Sequence, residues 1–185
     1  MKSRLSHLHY DDMTKPQQLV LEDILKGPRR NLDGPFLAWI HSPELANHAQ
    51  KLGAFCRYHT QLPLVLSELA ILTTASLWQS QAEWQIHEPI ALEAGLSKSI
   101  IEAIRLKQVP EFENEAQSVV YQLTKTLYET KRVNQGLYDK AVSLFGESAL
   151  VELVGVLGYY ALVAMTLNVF AVDRETGQPL PFIEP

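Results

Sequence analysis

The sequence predicts an all-α fold, and three observations carry that prediction. Apolar residues recur at spacings of three and four along almost all of the 185 residues, which is the period of one helix face. Capping residues, prolines and glycines punctuate those runs where helices begin and end. No stretch alternates polar and apolar residues for long enough to make a strand.

The elements follow in order. "KPQQLVLEDILKG" is a helix entered at Pro16 and closed by Gly27, because Pro suits a first turn and Gly a C-terminal cap. "PRRNLDGP" is a loop. Ser42-Pro43-Glu44 opens a second helix that runs to about Tyr58, with a capping hydroxyl, Pro at the first helical position and an acid in the first turn. "LSELAILTTASLW" is a third, with Ser67 as its cap. "SQAEWQIHEP" (residues 80–89) begins a fourth, which Gly95 stops. Pro89 either bends that helix just past His87 or starts a new one. Ser97 caps "KSIIEAIRLK". Two more helices span about Glu113–Glu129 and, after the cap Asn134, Gln135–Phe145, with Gly146 as terminator. The last runs from about Ser148 to Phe170.

Bulk composition narrows the function. A chain of this length is one domain with room for a full core, read as a single unit over residues 1–185. With 46% hydrophobic and 20% charged residues, nothing indicates disorder. The formal net charge is −5, and Lys and Arg cluster only as Arg29-Arg30 and Lys131-Arg132. A surface that tracks phosphates needs concentrated positive charge, so no nucleic-acid partner is expected. The opening "MKSRLSHLHYDDM" has no apolar run, so neither a secretory leader nor an anchor is expected there. The single cysteine, Cys56, excludes a disulfide framework, a Cys-rich zinc site and a CxxC redox pair within one chain. A cytoplasmic protein is the expectation.

The final helix has the length of a bilayer span. From Ala149 to Val172 its only charge is Glu152. The ordinary globular character of the rest favours a helix buried in a bundle or subunit interface, with no membrane partner. Gly155, Gly158, Ala161 and Ala164 keep parts of it thin, so another helix can approach closely.

The chemistry concentrates in residues 67–90. On a helix, Glu83 and His87 stand one turn apart and continue into Ile90, Ala91 and Ala94, an apolar stripe. They therefore point inward, and Gln81, Gln85 and Glu88 take the outward face. At ~5–6 Å between Cβ atoms, a carboxylate can accept from a ring N–H. Such a partner fixes the tautomer of an imidazole and favours its protonated form. Glu68 is the only charged residue between Leu62 and Ala82. If Ser67 caps its helix, Glu68 is a first-turn residue with dipole support. In an antiparallel hairpin the start of one helix lies beside the end of the next, which brings Glu68 towards Glu83 and His87. Against this stands the bland reading: i,i+4 Glu–His pairs are common on solvated helices, and most buried histidines are structural.

These residues also carry a resemblance. "LSELAILTTASLWQSQAEWQIHEPIALEAGLSKSIIEAIR" resembles the central segment of the carboxymuconolactone decarboxylase family, which includes the alkylhydroperoxidase D-like proteins. "GPFLAWIHSPELANHAQKLGAFCRY" and "VELVGVLGYYALVAMTLN" are similar to members of its decarboxylase-type branch. The likeness covers residues 34–168 and is strongest over 67–105. It implies an antiparallel helical bundle of the alkylhydroperoxidase D-like type, assembled as trimers or hexamers, with pockets near subunit contacts. The peroxidase branch uses a glutamate followed by Cys-x-x-Cys-x-x-x-His. Laid on this chain, those positions hold Glu68, Ser80, Glu83 and His87, so both thiols are absent. A peroxidatic cycle needs one thiolate to attack peroxide and a second thiol to resolve the product.

What the resemblance then implies is cofactor-free proton-transfer chemistry of lyase type on a small carboxylated lactone or related cyclic acid. His87 is expected as proton donor, Glu83 as its orienting partner, and Glu68 as a pocket acid or second proton shuttle. Ser80, Trp78 and Trp84 are expected to contact substrate, although large aromatics at helical spacing are more often core. Arg57 and Arg105 are candidates for binding a substrate carboxylate, and nothing in the sequence selects between them. No metal is expected: a site from Glu68, Glu83 and His87 with His59 lacks HExxH-type spacing and has one imidazole in the motif. Two other classes compete. One is a hydroperoxidase-type antioxidant, improvised around Cys56. The other is a ligand-binding oligomer whose site does not react.

Overall fold

The computed structural model describes residues 3–28, 30–172, 177 and 179–183; Arg29, half of one basic pair, lies outside them. Among the described residues there are eight α-helices, a short 3-10 turn at Tyr10–Asp12 and no strand. The helices are α1 (Lys15–Lys26), α2 (Phe36–Trp39), α3 (Pro43–Tyr58), α4 (Leu64–Trp78), α5 (Gln81–Glu93), α6 (Lys98–Arg105), α7 (Glu115–Thr130) and α8 (Gln135–Phe170).

The expected helices are present, and several borders follow their capping chemistry. Pro16 and Gly27 bracket α1. The hydroxyl of Ser97 and the side-chain oxygens of Asn114 and Asn134 accept N–H groups at the starts of α6, α7 and α8. α5 passes through Pro89 as one helix. Gly146, at φ 77°, is non-helical, so α8 is two arms joined at a kink. A residue with a Cβ is penalised at such an angle, which is why the break falls on a glycine.

One border differs. Ser67 is not a cap, because α4 begins at Leu64 after Pro63. Its hydroxyl instead donates to the Leu64 carbonyl at 3.0 Å. Glu68 therefore stands in the second turn, without the first-turn dipole support expected of it.

α4 is the central pillar. Leu66 to Ser76 are all buried, and α5, α6, α7 and α8 pack around them. One apolar cluster joins α4 to α5, α6, α7 and the middle of α8. A second joins α1, α2 and α3 to the C-terminal part of α8. Burying a helix on all sides requires its polar side chains to find partners inside. Thr73 and Thr74 donate to Leu69 and Ala70 at 2.7 and 2.9 Å, and Ser76 to the Ile104 carbonyl at 2.8 Å. Glu68, an acceptor when ionised, cannot use carbonyls in this way and needs a donor from another helix.

α8 is long and apolar enough to cross a membrane, and 56% of its most apolar 18-residue window is buried inside the chain itself. That burial comes from α3, α4, α5 and α7.

Candidate active site

The α4–α5 turn sets the register. The Ser80 N–H donates to the Ala75 carbonyl at 2.9 Å, closing an antiparallel hairpin. Glu68 lies seven residues before Ala75, and His87 seven after Ser80. Seven residues are about two helical turns, so both side chains return to the facing sides of their helices. They meet there: Nδ1 of His87 lies 2.8 Å from Oε2 of Glu68. Their relative exposures are 4% and 1%. Against an ionised carboxylate, which only accepts, Nδ1 would be the donor, and Nε2 is left for other chemistry.

This corrects the expected pairing. The partner that orients His87 is Glu68 across the hairpin, not Glu83 one turn away on the same helix. Glu83 is equally buried, and among the described residues neither of its oxygens has a hydrogen-bond partner. Burial pushes its carboxyl well above the usual carboxylate range, and the nearby charge of Glu68 adds to that. The physical reason is register: the hairpin closure at Ala75 and Ser80 turns Glu68 onto the imidazole, and Glu83, left without that donor, meets desolvation that disfavours its charge.

A cavity of about 30 Å³ opens beside these groups, bordered by Glu83, His87, Arg57, Tyr159 and Tyr160 among others. The segment Asp33–Pro35 closes one side, and Gly34 takes the left-handed φ of 89° there. The Tyr160 ring meets the His87 imidazole edge-on, with centroids 5.0 Å apart. This contact holds the ring plane while Glu68 holds the nitrogen. Tyr159 and Tyr160 were visible in "VGVLGYYALV", but the helix containing them read as packing, and nothing local aims a tyrosine at a histidine on another helix.

The other expected residues fall elsewhere. Ser80 caps α5 from a fully buried position, and its Oγ has no partner among the described residues. Trp84 is also fully buried, its ring 5.3 Å from that of Phe182. Trp78 is half-buried beside the end of α8, where its carbonyl accepts from Asn168 at 2.8 Å. None of the three borders the cavity beside His87. Gln81 was placed on the outward face and is instead buried: its side chain bonds both the carbonyl and the N–H of Phe182, at 2.7 and 2.9 Å. The chain's C-terminal segment covers that side of α5, which helix periodicity alone does not foresee.

The two candidate arginines separate. Arg57 borders the cavity. Arg105 is engaged elsewhere, giving two bonds to Glu102 at 2.8 and 2.6 Å and one to the Pro181 carbonyl at 3.0 Å. Cys56 is 1% exposed in the core and does not border the cavity. Among the described residues no three His, Cys, Asp or Glu side chains are grouped to hold a metal ion.

No protein-family model matches the sequence, and no curated protein matches it. A solved structure does match the fold: an uncharacterized peroxidase-related protein from Ralstonia eutropha JMP134, described as an alkylhydroperoxidase AhpD core. The two superpose with a TM-score of 0.75 over 95% of this chain and 93% of that one, at 11% identity. The likeness establishes a shared alkylhydroperoxidase D-like helical fold. It leaves the chemistry to the residues in the site.

Proposed function

We propose that this chain is a cofactor-free proton-transfer enzyme of lyase type, acting on a small carboxylated lactone or related cyclic acid. One observation carries the reading: Glu83, a buried carboxyl with no hydrogen-bond partner among the described residues, borders the same cavity as an imidazole held by a second buried carboxylate. Paired titratable groups driven to opposite protonation states are the usual signature of acid–base chemistry.

In such a reaction the bond to the departing carboxylate breaks, and its electron pair moves into the conjugated carbonyl. Neutral Glu83 donates a hydrogen bond to the developing enolate oxygen. His87, entering the step with both ring nitrogens protonated and held through Nδ1 by Glu68, gives its Nε2 proton to carbon as carbon dioxide leaves, and it recovers that proton from solvent. The cavity as it stands holds roughly one water. Substrate entry therefore requires the Asp33–Pro35 segment to move, since it is irregular chain and can shift without unwinding a helix.

Peroxidase chemistry is the competing reading, favoured by the description of the Ralstonia protein. The sole thiol, that of Cys56, is buried outside the cavity, and a thiol cycle needs an accessible thiolate. The test is one panel containing γ-carboxymuconolactone and organic hydroperoxides. It is run on wild type, His87→Gln, which keeps a donor for Glu68 but has no proton to give, and Cys56→Ala. Carbon dioxide release by wild type that His87→Gln abolishes and Cys56→Ala retains is the expected result. Equal release in His87→Gln, or peroxide consumption that depends on Cys56, ends the proposal.

A further inference from the structure

Among the described residues, Arg57 is the only basic side chain besides His87 that borders the cavity. It is half-buried in the last turn of α3. Among the described residues its guanidinium makes no ion pair, whereas His87, Arg105, Lys26, Lys125 and Lys140 each have a carboxylate within 4.0 Å. Its marked contact is with the Tyr58 ring, whose centroid is 5.5 Å from Cζ. An arginine that is partly desolvated and lacks a counter-charge is primed for an anion, because its planar fork matches a carboxylate with two parallel bonds.

The charges around it point the same way. Glu68 and His87 answer each other. Burial, and after it the neighbouring Glu68, pushes the Glu83 carboxyl towards its neutral form. Asp33, the remaining charged residue at the border, is exposed to water that screens it. Among the described residues, Arg57 is the cation at this border with no carboxylate within 4.0 Å. Beside it the wall is apolar, made by Ile86, Val163 and Leu167, which suits a carbon skeleton.

We infer that Arg57 anchors a carboxylate remote from the reacting carbon, so that the site selects small organic acids over neutral molecules of the same shape. The inference rests on the acid–base reading of Glu83 and His87. It adds a specificity residue to that reading, supplied by α3 rather than by the α4–α5 hairpin. In this reading the guanidinium holds one carboxylate and the reacting carbon lies against Glu83 and His87, which line the same cavity.

The experiment uses two non-reacting probes of equal shape, 2-furoate and its neutral amide. Each is titrated into the protein while the His87 ring signals are followed by NMR. The proteins are wild type, Arg57→Ala, Arg57→Lys and Arg105→Ala. Wild type and Arg105→Ala are expected to bind the acid at least about tenfold tighter than the amide, the range of one charge-assisted bidentate contact. Arg57→Ala loses the preference, and Arg57→Lys keeps part of it. Ala is favourable in a helix, so a loss in Arg57→Ala with an unchanged melting curve reports recognition rather than folding. Equal affinities in wild type, or a preference that survives Arg57→Ala, overturn the inference. Binding and turnover fail separately. A charge preference lost in Arg57→Ala without any decarboxylation supports the anchor and sinks the chemistry. Turnover whose KM is unchanged in Arg57→Ala does the reverse.

Discussion

Glu68 and His87, nineteen residues apart in sequence, join at 2.8 Å across the α4–α5 hairpin, both inside the protein. The closer acid in sequence, Glu83, has no hydrogen-bond partner among the described residues. A buried pair of this kind is a liability when halved, because the remaining charge has neither water nor a partner. His87→Ala is therefore expected to lose about 3–5 kcal/mol. Adding Glu68→Gln should return part of that loss, making the double variant more stable than the single one. Urea unfolding of the three proteins measures this coupling. Strictly additive losses would contradict a direct, energetically meaningful contact.

Glu83 makes stability depend on pH in an unusual direction. Its native carboxyl titrates well above its ordinary range, so between the two values the folded state binds a proton that the unfolded state has released. Stability from this group is complete below the unfolded value. It falls as pH rises, by up to ~1.4 kcal/mol per pH unit, until the native carboxyl also ionises. Glu83→Gln removes that fall. The variant should gain on wild type steadily as pH increases from about 4.5 towards neutrality, which melting curves across that range can follow. A constant difference between the two proteins would show that Glu83 is ionised in the fold.

Much of this was legible in the sequence because helices declare their faces and ends locally. The lone charge in "LSELAILTTASLW" and the Glu83–His87 spacing placed the three site residues on inward faces, and the antiparallel hairpin brought Glu68 near. What sequence did not give was which acid takes the imidazole. That depends on the Ala75–Ser80 closure, a matter of register rather than of residue type. It equally concealed the burial of Gln81 by Phe182, a contact 101 residues distant. Arg57 could be proposed but not chosen over Arg105, since the choice rests on which helix borders the cavity. Ser80, Trp78 and Trp84 sit within ten residues of His87 yet miss the cavity: Trp84 is turned instead against the Phe182 ring, a contact 98 residues distant that helix spacing does not foresee.

The Phe182 contact yields a prediction of its own. Its ring packs edge-on against Trp84, and its backbone is held by both ends of the Gln81 amide. Phe182→Ala should cost on the order of 2–4 kcal/mol, near the lower part of the range for a buried aromatic because the chain end relaxes easily. Trp84 would meet water on that side, so the tryptophan emission should shift to longer wavelength. Unchanged stability and emission would mean that the C-terminal segment does not dock on α5 in solution.

The outer face of α8 bears on assembly, for which the family resemblance implies trimers or hexamers. Val151, Val154, Met165 and Val169 are exposed at helical spacing, with Gly158 among them. A Cβ added at Gly155 or Gly158 meets nothing within 4 Å. A contiguous apolar stripe with a shallow, small-residue centre favours close approach by another helix, and leaving it in water is costly. A homo-oligomer, trimer or larger, is therefore expected by light scattering at micromolar concentration. Val154→Glu puts a charge into the middle of the proposed contact and should weaken association at least about a hundredfold, a loss of ~3 kcal/mol. The α4–α5 hairpin lies on the other side of the helix, so helicity and the Glu68–His87 pairing should survive in the dissociated variant. A wild-type monomer, or an oligomer indifferent to Val154→Glu, would place the assembly surface elsewhere or remove it altogether.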